Sequence, residues 1–338
     1  MKTIKYLAMF FTCFLVCNCG KQETQQENEA VMLFKVGCYP HAVCWQGKYY
    51  YTMQPDDASN IVIYSSDNLE DIASGEQRMV WHVDSMKHIW SPELHRVNSK
   101  WYLYFEADDG NTDNHQLYVL ENTSDNPIKG EFKMKGVIKT NEEWNFGLHP
   151  TSIIVQGKQY LLWSGWEHRR TEMETQYIYI ARMLNPWTLD TERVRLSEPS
   201  LEWERQWINP NGDRSAYPIF VNENPEAFIT PDNRYVCVCY SASGVWTVYH
   251  VLGMLYARAD ADLLNPQSWT KSQEPLFTSD DINKLYGASN ISLVPTPEGK
   301  LEHLLYEAYH FENGEWLRSI FLKPMAWDNE GLPSFGKP

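Results

Sequence analysis

The chain has 338 residues, 14% of them aromatic, and a formal net charge of −15 from 29 basic and 44 acidic residues. No basic cluster is present that could follow a phosphate backbone, so nucleic acid is excluded as a partner. The sequence also has no H-E-x-x-H, no glycine-rich phosphate loop and no G-x-S-x-G, which excludes zincins, nucleotide enzymes and α/β serine hydrolases. We expect no metal site and no cofactor.

The N-terminus has the pattern of a bacterial export signal. Lys2 and Lys5 precede an apolar run at 6–16 that is too short to span a bilayer. The run ends in a segment similar to the cleavage box of lipoproteins, with Cys19 as the predicted lipid attachment site and Cys17 as the alternative. We therefore predict a signal peptide over 1–18, a lipid-anchored polar tether over 19–31, and placement on the outer membrane or cell surface. The periplasmic face and plain secretion are the alternatives.

A short pattern repeats along the rest of the chain: a turn residue, a basic residue, then an aromatic or apolar strand. The copies are Gly47-Lys48-Tyr49, Ser99-Lys100-Trp101, Gly157-Lys158-Gln159-Tyr160, Asn233-Arg234-Tyr235 and Gly299-Lys300-Leu301. Their basic residues are 52, 58, 76 and 66 positions apart, which accommodates about four short strands with turns per repeat. The spacing predicts an all-β protein, a five-bladed β-propeller over 32–338. Common hairpin turns in a β-sandwich are the alternative.

A second element repeats in phase with the first. A residue followed by proline precedes the basic residue in four copies: Tyr39-Pro40, Ser91-Pro92, His149-Pro150 and Asn224-Pro225. Proline is confined to strand starts, edges and bulges, so each pair predicts the start of an innermost strand. The fifth copy has Asn290 without a proline. These residues are expected to converge at one end of the central axis and to form a functional site there.

Four cysteines lie beyond the predicted anchor: Cys38, Cys44, Cys237 and Cys239. Export permits disulfides, but Cys237 and Cys239 are two apart in a strand-like run and so face the same side. This arrangement favours buried thiols over a bridge between them, and no disulfide is predicted.

Several segments in chain order are similar to glycoside hydrolase family 43, in particular to its α-L-arabinofuranosidases. They include Ile89-Trp90-Ser91-Pro92-Glu93-Leu94-His95, Leu162-Trp163-Ser164-Gly165-Trp166, Tyr240-Ser241-Ala242-Ser243-Gly244 and Met325-Ala326-Trp327-Asp328-Asn329-Glu330-Gly331-Leu332-Pro333. The resemblance implies a five-bladed propeller that hydrolyses O-glycosyl bonds with inversion. Such a reaction needs a carboxylate base and a carboxylic acid on opposite sides of the sugar.

The resemblance also implies positions for the family's three carboxylates. Tyr39 matches the base aspartate, His149 matches the aspartate that tunes the acid, and Glu223 keeps the acid. A phenol with a pKa near 10 is a poor base at neutral pH, so Tyr39 is expected to be a substrate platform or a plug. Asn290 stands where the family often has a histidine near a bound cation, so no metal site follows.

Each candidate also has a structural interpretation. Glu223 is either the general acid or a surface glutamate, and Glu226 is close enough to be confused with it. His149 is a possible base, a substrate contact or a purely structural histidine. Further candidates for substrate binding, each with core packing or ion pairing as its alternative, are Trp90, Glu93, Trp166, Asn290 and Arg318.

These residues favour an exo-acting, arabinofuranosidase-like hydrolase with a rearranged active site, in which Glu223 donates the proton. The alternative is a surface propeller that binds glycan without hydrolysing it. In both cases the expected partners are a glycan and, through the lipid, a membrane. A monomer is expected.

Overall fold

The structure is a computed structural model that describes residues 30–54, 58–168, 174–212 and 219–338. The predicted signal peptide and Cys19 lie outside the described residues. Within them the fold is a five-bladed β-propeller, which confirms the all-β prediction. The exceptions to strand and loop are short 3-10 helices at Leu69–Ser74, Thr112–Asn114, Glu202–Glu204 and Pro266–Ser268. None of the described helices is long and apolar enough to cross a membrane.

The first described strand, β1 (Val31–Phe34), pairs with a strand near the other end of the chain and belongs to the last blade. The next eight strands form two antiparallel four-stranded blades. Blade 1 consists of β2 (His41–Trp45), β3 (Lys48–Thr52), β4 (Asn60–Ser66) and β5 (Glu76–His82). Blade 2 consists of β6 (Lys87–Val97), β7 (Lys100–Asp108), β8 (Gln116–Asn122) and β9 (Lys133–Ile138).

Blades 3 and 4 are joined by a short parallel pairing between β12 and β15. Blade 3 consists of β10 (Leu148–Val155), β11 (Lys158–Gly165), β12 (Glu174–Asn185), β13 (Thr188–Leu189) and β14 (Val194–Ser197). Blade 4 consists of β15 (Ile219–Ile229), β16 (Tyr235–Ala242), β17 (Val251–Arg258) and β18 (Trp269–Lys271).

Blade 5 closes the ring, because its outermost strand is β1, which pairs with β21. Its other strands are β19 (Tyr286–Pro295), β20 (Leu301–Glu312) and β21 (Glu315–Pro324), and a two-stranded ribbon of β22 (Ala326–Trp327) and β23 (Pro333–Ser334) follows. The first and last parts of the described chain are thus hydrogen-bonded in one sheet.

Five apolar clusters fill the spaces between neighbouring blades, one at each boundary of the ring. Both faces of a middle strand are therefore buried, as in β7, where Trp101, Leu103 and Phe105 face blade 1 and Tyr102 and Tyr104 face blade 3. This burial explains why the repeated strands are nearly continuous in apolar residues. Truncation of such a side chain to alanine typically costs about 3–5 kcal/mol.

Each blade has a residue with a left-handed backbone at the same end of the axis, just before the inner strand in blade 1 and within the inner strand in the other blades. These residues are Tyr39 (φ 52°), Ser91 (φ 42°), His149 (φ 51°), Asn224 (φ 49°) and Asn290 (φ 43°). In blades 2 to 5 the pairing of the inner strand shifts register at this residue, as in a β-bulge. A bulge leaves backbone unpaired, which is why a proline is tolerated there.

The X-Pro pairs therefore mark strand starts in blades 1 and 3, and bulges inside the inner strand in blades 2 and 4. The predicted basic turns join the inner and second strands, for example at Gly47 (φ 76°), where the left-handed backbone favours glycine. Because neighbouring strands are antiparallel, the loops between second and third strands return to the end of the axis where the bulges lie.

Candidate active site at the propeller axis

A carboxylate at the centre of this end connects blades 5 and 1. Glu307 on β20 accepts hydrogen bonds from the Tyr39 backbone N–H at 2.9 Å, from Asn290 Nδ2 at 2.6 Å and from Arg318 Nε at 2.6 Å. The Arg318 guanidinium also lies 4.9 Å from the centre of the Tyr39 ring. We call the group around Glu307 and the neighbouring bulge residues the axial site.

Glu223 enters the axial site from blade 4. It precedes the bulge residue Asn224 on β15, and its side chain is buried. Its Oε1 lies 4.0 Å from Nε2 of His250, whose Nδ1 is 3.0 Å from the Ser243 carbonyl oxygen. Burial raises the pKa of Glu223 to about 8, although Arg318 acts in the opposite direction. The carboxyl is therefore mostly protonated at neutral pH.

His149 enters from blade 3 and packs against Tyr39, with their ring centres 4.9 Å apart and their ring planes at 34°. Its Nε2 lies 3.8 Å from Oε1 of Glu106, a buried residue on β7. Among the described residues, neither His149 nitrogen, neither Glu106 oxygen nor the Ser91 hydroxyl makes a hydrogen bond of ordinary geometry. Ser91 and the His149 backbone nevertheless approach Glu106 closely enough to favour its ionised form.

Burial dominates the electrostatics on this side of the axial site. It raises the pKa of Glu106 to about 8 and lowers the pKa of His149 to about 3, so the imidazole is neutral at physiological pH. Burial also raises the pKa of the Tyr39 phenol well above its ordinary value. Tyr39 therefore presents a neutral phenol to the site at physiological pH.

The two tryptophan candidates lie beside the axial site, in an aromatic cluster between blades 2 and 3. Trp90 is half-buried and stacks on His115 with ring centres 4.4 Å apart, and Trp166 stacks on Phe146 at 4.2 Å. A cavity of about 420 Å³ adjoins this cluster and is lined in part by His115 and Trp144. The structure thus places Trp90 and Trp166 in packed positions, with open space next to them.

Glu93 lies two residues beyond the bulge residue of β6 and is grouped with two histidines. Its Oε2 is hydrogen-bonded to His95 Nε2 at 2.9 Å and lies 3.8 Å from His41 Nδ1. The ligand atoms of these three residues lie within 4.8 Å of one another, so the group has the donors to hold a cation. Burial raises the pKa of Glu93 to about 7. A proton shared within the group can therefore take the place of a bound cation.

Tyr39, His149, Glu223, Asn290 and Arg318 thus meet at the axial site, whereas Glu93, Trp90 and Trp166 lie beside it. Ser91 also lies at the axial site, as its place in an X-Pro pair predicted, whereas Glu106, His250 and Glu307 were not among the predicted site residues. A usable signal existed for two of them: Phe105-Glu106-Ala107 and Tyr306-Glu307-Ala308 place a charge in equivalent apolar strands. Such a charge is costly to bury and so points to a site.

Cys237 and Cys239 lie away from the axial site. Cys237 and Cys239 are buried on β16 in the cluster between blades 4 and 5, and neither they nor Cys44 form a disulfide. They pack as small apolar side chains, as their spacing indicated.

Fold and site together define a five-bladed β-propeller with buried carboxyl groups at one end of its axis. The chain belongs to glycosyl hydrolases family 43, whose family model matches residues 38–333. This finding confirms the family that the sequence motifs indicated.

Curated relatives and a solved structure agree with this assignment. The chain is 32% identical over 305 residues to an extracellular exo-α-(1→5)-L-arabinofuranosidase of Streptomyces avermitilis, covering 86% of this chain and 60% of the relative. It is 30% identical to α-L-arabinofuranosidase 43 of Humicola insolens, covering 88% and 61% of the two chains. The chain therefore spans about 60% of the length of these relatives.

The structure superposes on the crystal structure of an α-L-arabinofuranosidase from Lactobacillus brevis with a TM-score of 0.80 and 28% identity. The match covers 91% of this chain and 97% of that chain. The likeness therefore extends over the whole propeller.

Proposed function

We propose that the protein is an exo-acting glycoside hydrolase that removes terminal α-L-arabinofuranosyl or related units from glycan with inversion of configuration. The observation that carries the proposal is Glu223, a buried carboxyl at the axis whose pKa of about 8 keeps it protonated at neutral pH. A general acid must hold a proton that it can donate to the leaving oxygen. Membership of the family and the names of the relatives support the same activity.

Glu106 and His149 are proposed to activate the water. Glu106, once ionised, accepts a proton from a water molecule, while the neutral imidazole of His149 hydrogen-bonds that water or a sugar hydroxyl. The water oxygen attacks the anomeric carbon, the glycosidic C–O bond breaks, and the leaving oxygen takes the proton of Glu223. In this proposal Glu106 and His149 take over the functions of the two aspartates that the family has at the positions of Tyr39 and His149.

Arg318 and Tyr39 are proposed to shape the pocket rather than to transfer protons. Arg318 is held by Glu307 and lies over the Tyr39 ring, so its position is fixed before substrate arrives. Tyr39 offers an aromatic surface on which the C–H face of a sugar can pack.

The test is turnover of 4-nitrophenyl α-L-arabinofuranoside, with xylosides and galactosides in the same panel. Wild type is compared with Glu223→Gln, Glu106→Gln and a matched control, Glu226→Gln, which changes another buried carboxyl on the same strand as Glu223. The proposal predicts that the first two variants lose turnover and the control keeps it. Equal turnover in wild type and Glu223→Gln contradicts it.

A second candidate function, a propeller that binds glycan without hydrolysis, is favoured by one observation. The Tyr39 ring covers His149, and both His149 nitrogens are buried. Absence of turnover on the whole panel, together with saturable binding of arabino-oligosaccharides by wild type and Glu223→Gln alike, supports this candidate instead.

Export and lipid anchoring at Cys19 are part of the proposal, supported by the signal-like run at 1–18 and by relatives named extracellular. The polar segment 19–31 then tethers the propeller to the membrane, with the propeller as a monomer. Labelling with radioactive palmitate in a bacterial host tests the anchor. The label is expected in wild type and Cys17→Ser and absent from Cys19→Ser; a label retained in Cys19→Ser contradicts this site.

A further inference from the structure

The hairpin formed by β20 and β21 extends from the axial site to the solvent. Its register pairs Tyr309 with Arg318 and Phe311 with Trp316, and Glu307 lies two residues before Tyr309. Side chains two residues apart share a face of a strand. One face therefore carries Glu307, then Tyr309 and Arg318, then Phe311 and Trp316. We call it the hairpin face.

The outer end of the hairpin face is an exposed aromatic surface. Phe311 is 59% exposed and Trp316 54% exposed. Their rings are 5.5 Å apart, and Trp316 also meets Tyr286 edge-on at 5.7 Å. Contiguous large aromatic side chains on a surface mark a site of interaction.

The hairpin face is continuous with the axial site. Arg318 bonds to Glu307 and lies 4.9 Å from the ring centre of Tyr39 and 5.9 Å from that of Tyr309. The loop of this hairpin joins the second and third strands of blade 5, so it stands at the end of the propeller where the axial site opens. A molecule that leaves the axial site along blade 5 therefore meets the aromatic pair next.

We propose that the hairpin face binds the sugar units on the leaving-group side of the bond that is cleaved, with Trp316 and Phe311 as their stacking surface. Indole and phenyl rings match the apolar C–H face of a sugar and require no charge on it. The inference rests on the proposed function and deepens it. The preferred substrate is an oligosaccharide or polysaccharide chain end, since Phe311 lies four residues beyond Glu307 on β20, about 13 Å along the strand and beyond the reach of a single aryl group.

The experiment compares kinetics on linear α-(1→5)-arabino-oligosaccharides and on 4-nitrophenyl α-L-arabinofuranoside. The variants are Trp316→Ala, Trp316→Phe and Phe311→Ala, with Met79→Ala as an exposed apolar control on the outermost strand of blade 1. Trp316→Ala is expected to raise KM for the oligosaccharide about 3- to 10-fold, because one aromatic contact is worth about 0.5–1.5 kcal/mol. Kinetics on the aryl glycoside, and those of the control, remain as in wild type. Trp316→Phe retains most of the oligosaccharide affinity.

Other outcomes separate this inference from the proposed function. The proposed role of the hairpin face is overturned if Trp316→Ala leaves the KM for the oligosaccharide unchanged. It is also overturned if the substitution reduces activity equally on both substrates. A wild-type dimer that Trp316→Ala dissociates without a change in KM would mean that the aromatic pair is a dimer contact instead. If wild type hydrolyses neither substrate, calorimetric binding of the oligosaccharide decides. Binding that is weakened by Trp316→Ala upholds the hairpin face while the proposed hydrolysis fails, and no binding to wild type overturns both.

Discussion

The two sides of the axial site differ in how their buried charges are satisfied. On the side of blades 4 and 5, Glu307 is hydrogen-bonded to Arg318 and Asn290, and Arg318 also influences Glu223. On the side of blades 2 and 3, Glu106 and His149 are equally buried, yet neither makes a hydrogen bond of ordinary geometry with a described residue.

This difference in hydrogen bonding indicates which groups are fixed in position and which remain available to a ligand. A buried polar atom without a partner costs about 1–3 kcal/mol, so such atoms persist where water or substrate supplies the partner. Glu307, Arg318 and Asn290 thus form a preformed frame whose charges act on the proton donor Glu223. The opposite side is the half that receives the water and the sugar.

The largest effect is expected from the acid. Glu223→Gln removes the transferable proton and keeps the shape of the side chain, so kcat should fall about 10²- to 10⁴-fold. Steady-state kinetics on an aryl arabinofuranoside measure it, with Glu226→Gln as the control. A fall of similar size in both variants would show that the change acts on folding, not on proton donation.

Breaking the frame should mainly reduce stability. Arg318→Met leaves the Glu307 carboxylate buried opposite an uncharged side chain, which should lower the free energy of unfolding by about 3–5 kcal/mol. Denaturant unfolding measures the loss. The double variant Arg318→Met with Glu307→Gln is expected to recover part of it, since no unpaired charge then remains. No recovery would mean that packing, and not charge, holds this side together.

A smaller effect on the rate is expected from the receiving side. Glu106→Gln and His149→Asn should each lower kcat/KM about 100-fold, at the lower end of the range for general-base catalysis. Because the two residues act on one water, the double variant should lose little more than either single variant. If the loss of kcat/KM in the double variant equals the product of the two single losses, the two residues act independently and do not activate the same water.

The smallest expected effect concerns stability against pH. The pKa of Glu106 is raised to about 8 in the folded protein, so its contribution to stability is complete below its unfolded pKa and is lost as pH rises to about 8. Between pH 7 and 8 this loss is about 1 kcal/mol for a single group. Glu106→Gln should therefore flatten the decline in melting temperature over that interval, and an unchanged slope would contradict the assignment.

The sequence predicted the fold well because the fold repeats. Five copies of a basic turn, four of them preceded by an X-Pro pair, are enough to locate the blades, and the resemblance to the family then identified Glu223 beside one such pair as the acid. Glu106 and Glu307 have a signal in the sequence, a charge within an apolar second strand, but the spacing of the turns does not show that these side chains reach the axial site. His250 lies in the loop between β16 and β17, and its approach to Glu223 depends on the conformation of that loop, which no repeated spacing predicts.

The pH profile of kcat/KM is the most direct test of the central claim, that Glu223 on one side of the axial site is the acid and Glu106 on the other side is the base. The base must be ionised and the acid protonated, and both Glu106 and Glu223 have a pKa of about 8, so the pair predicts a narrow bell centred near pH 8. Glu106→Gln should abolish the rise on the acid side and keep the fall on the alkaline side. A profile that is flat from neutral to alkaline pH, or an acid limb that survives Glu106→Gln, would contradict the account.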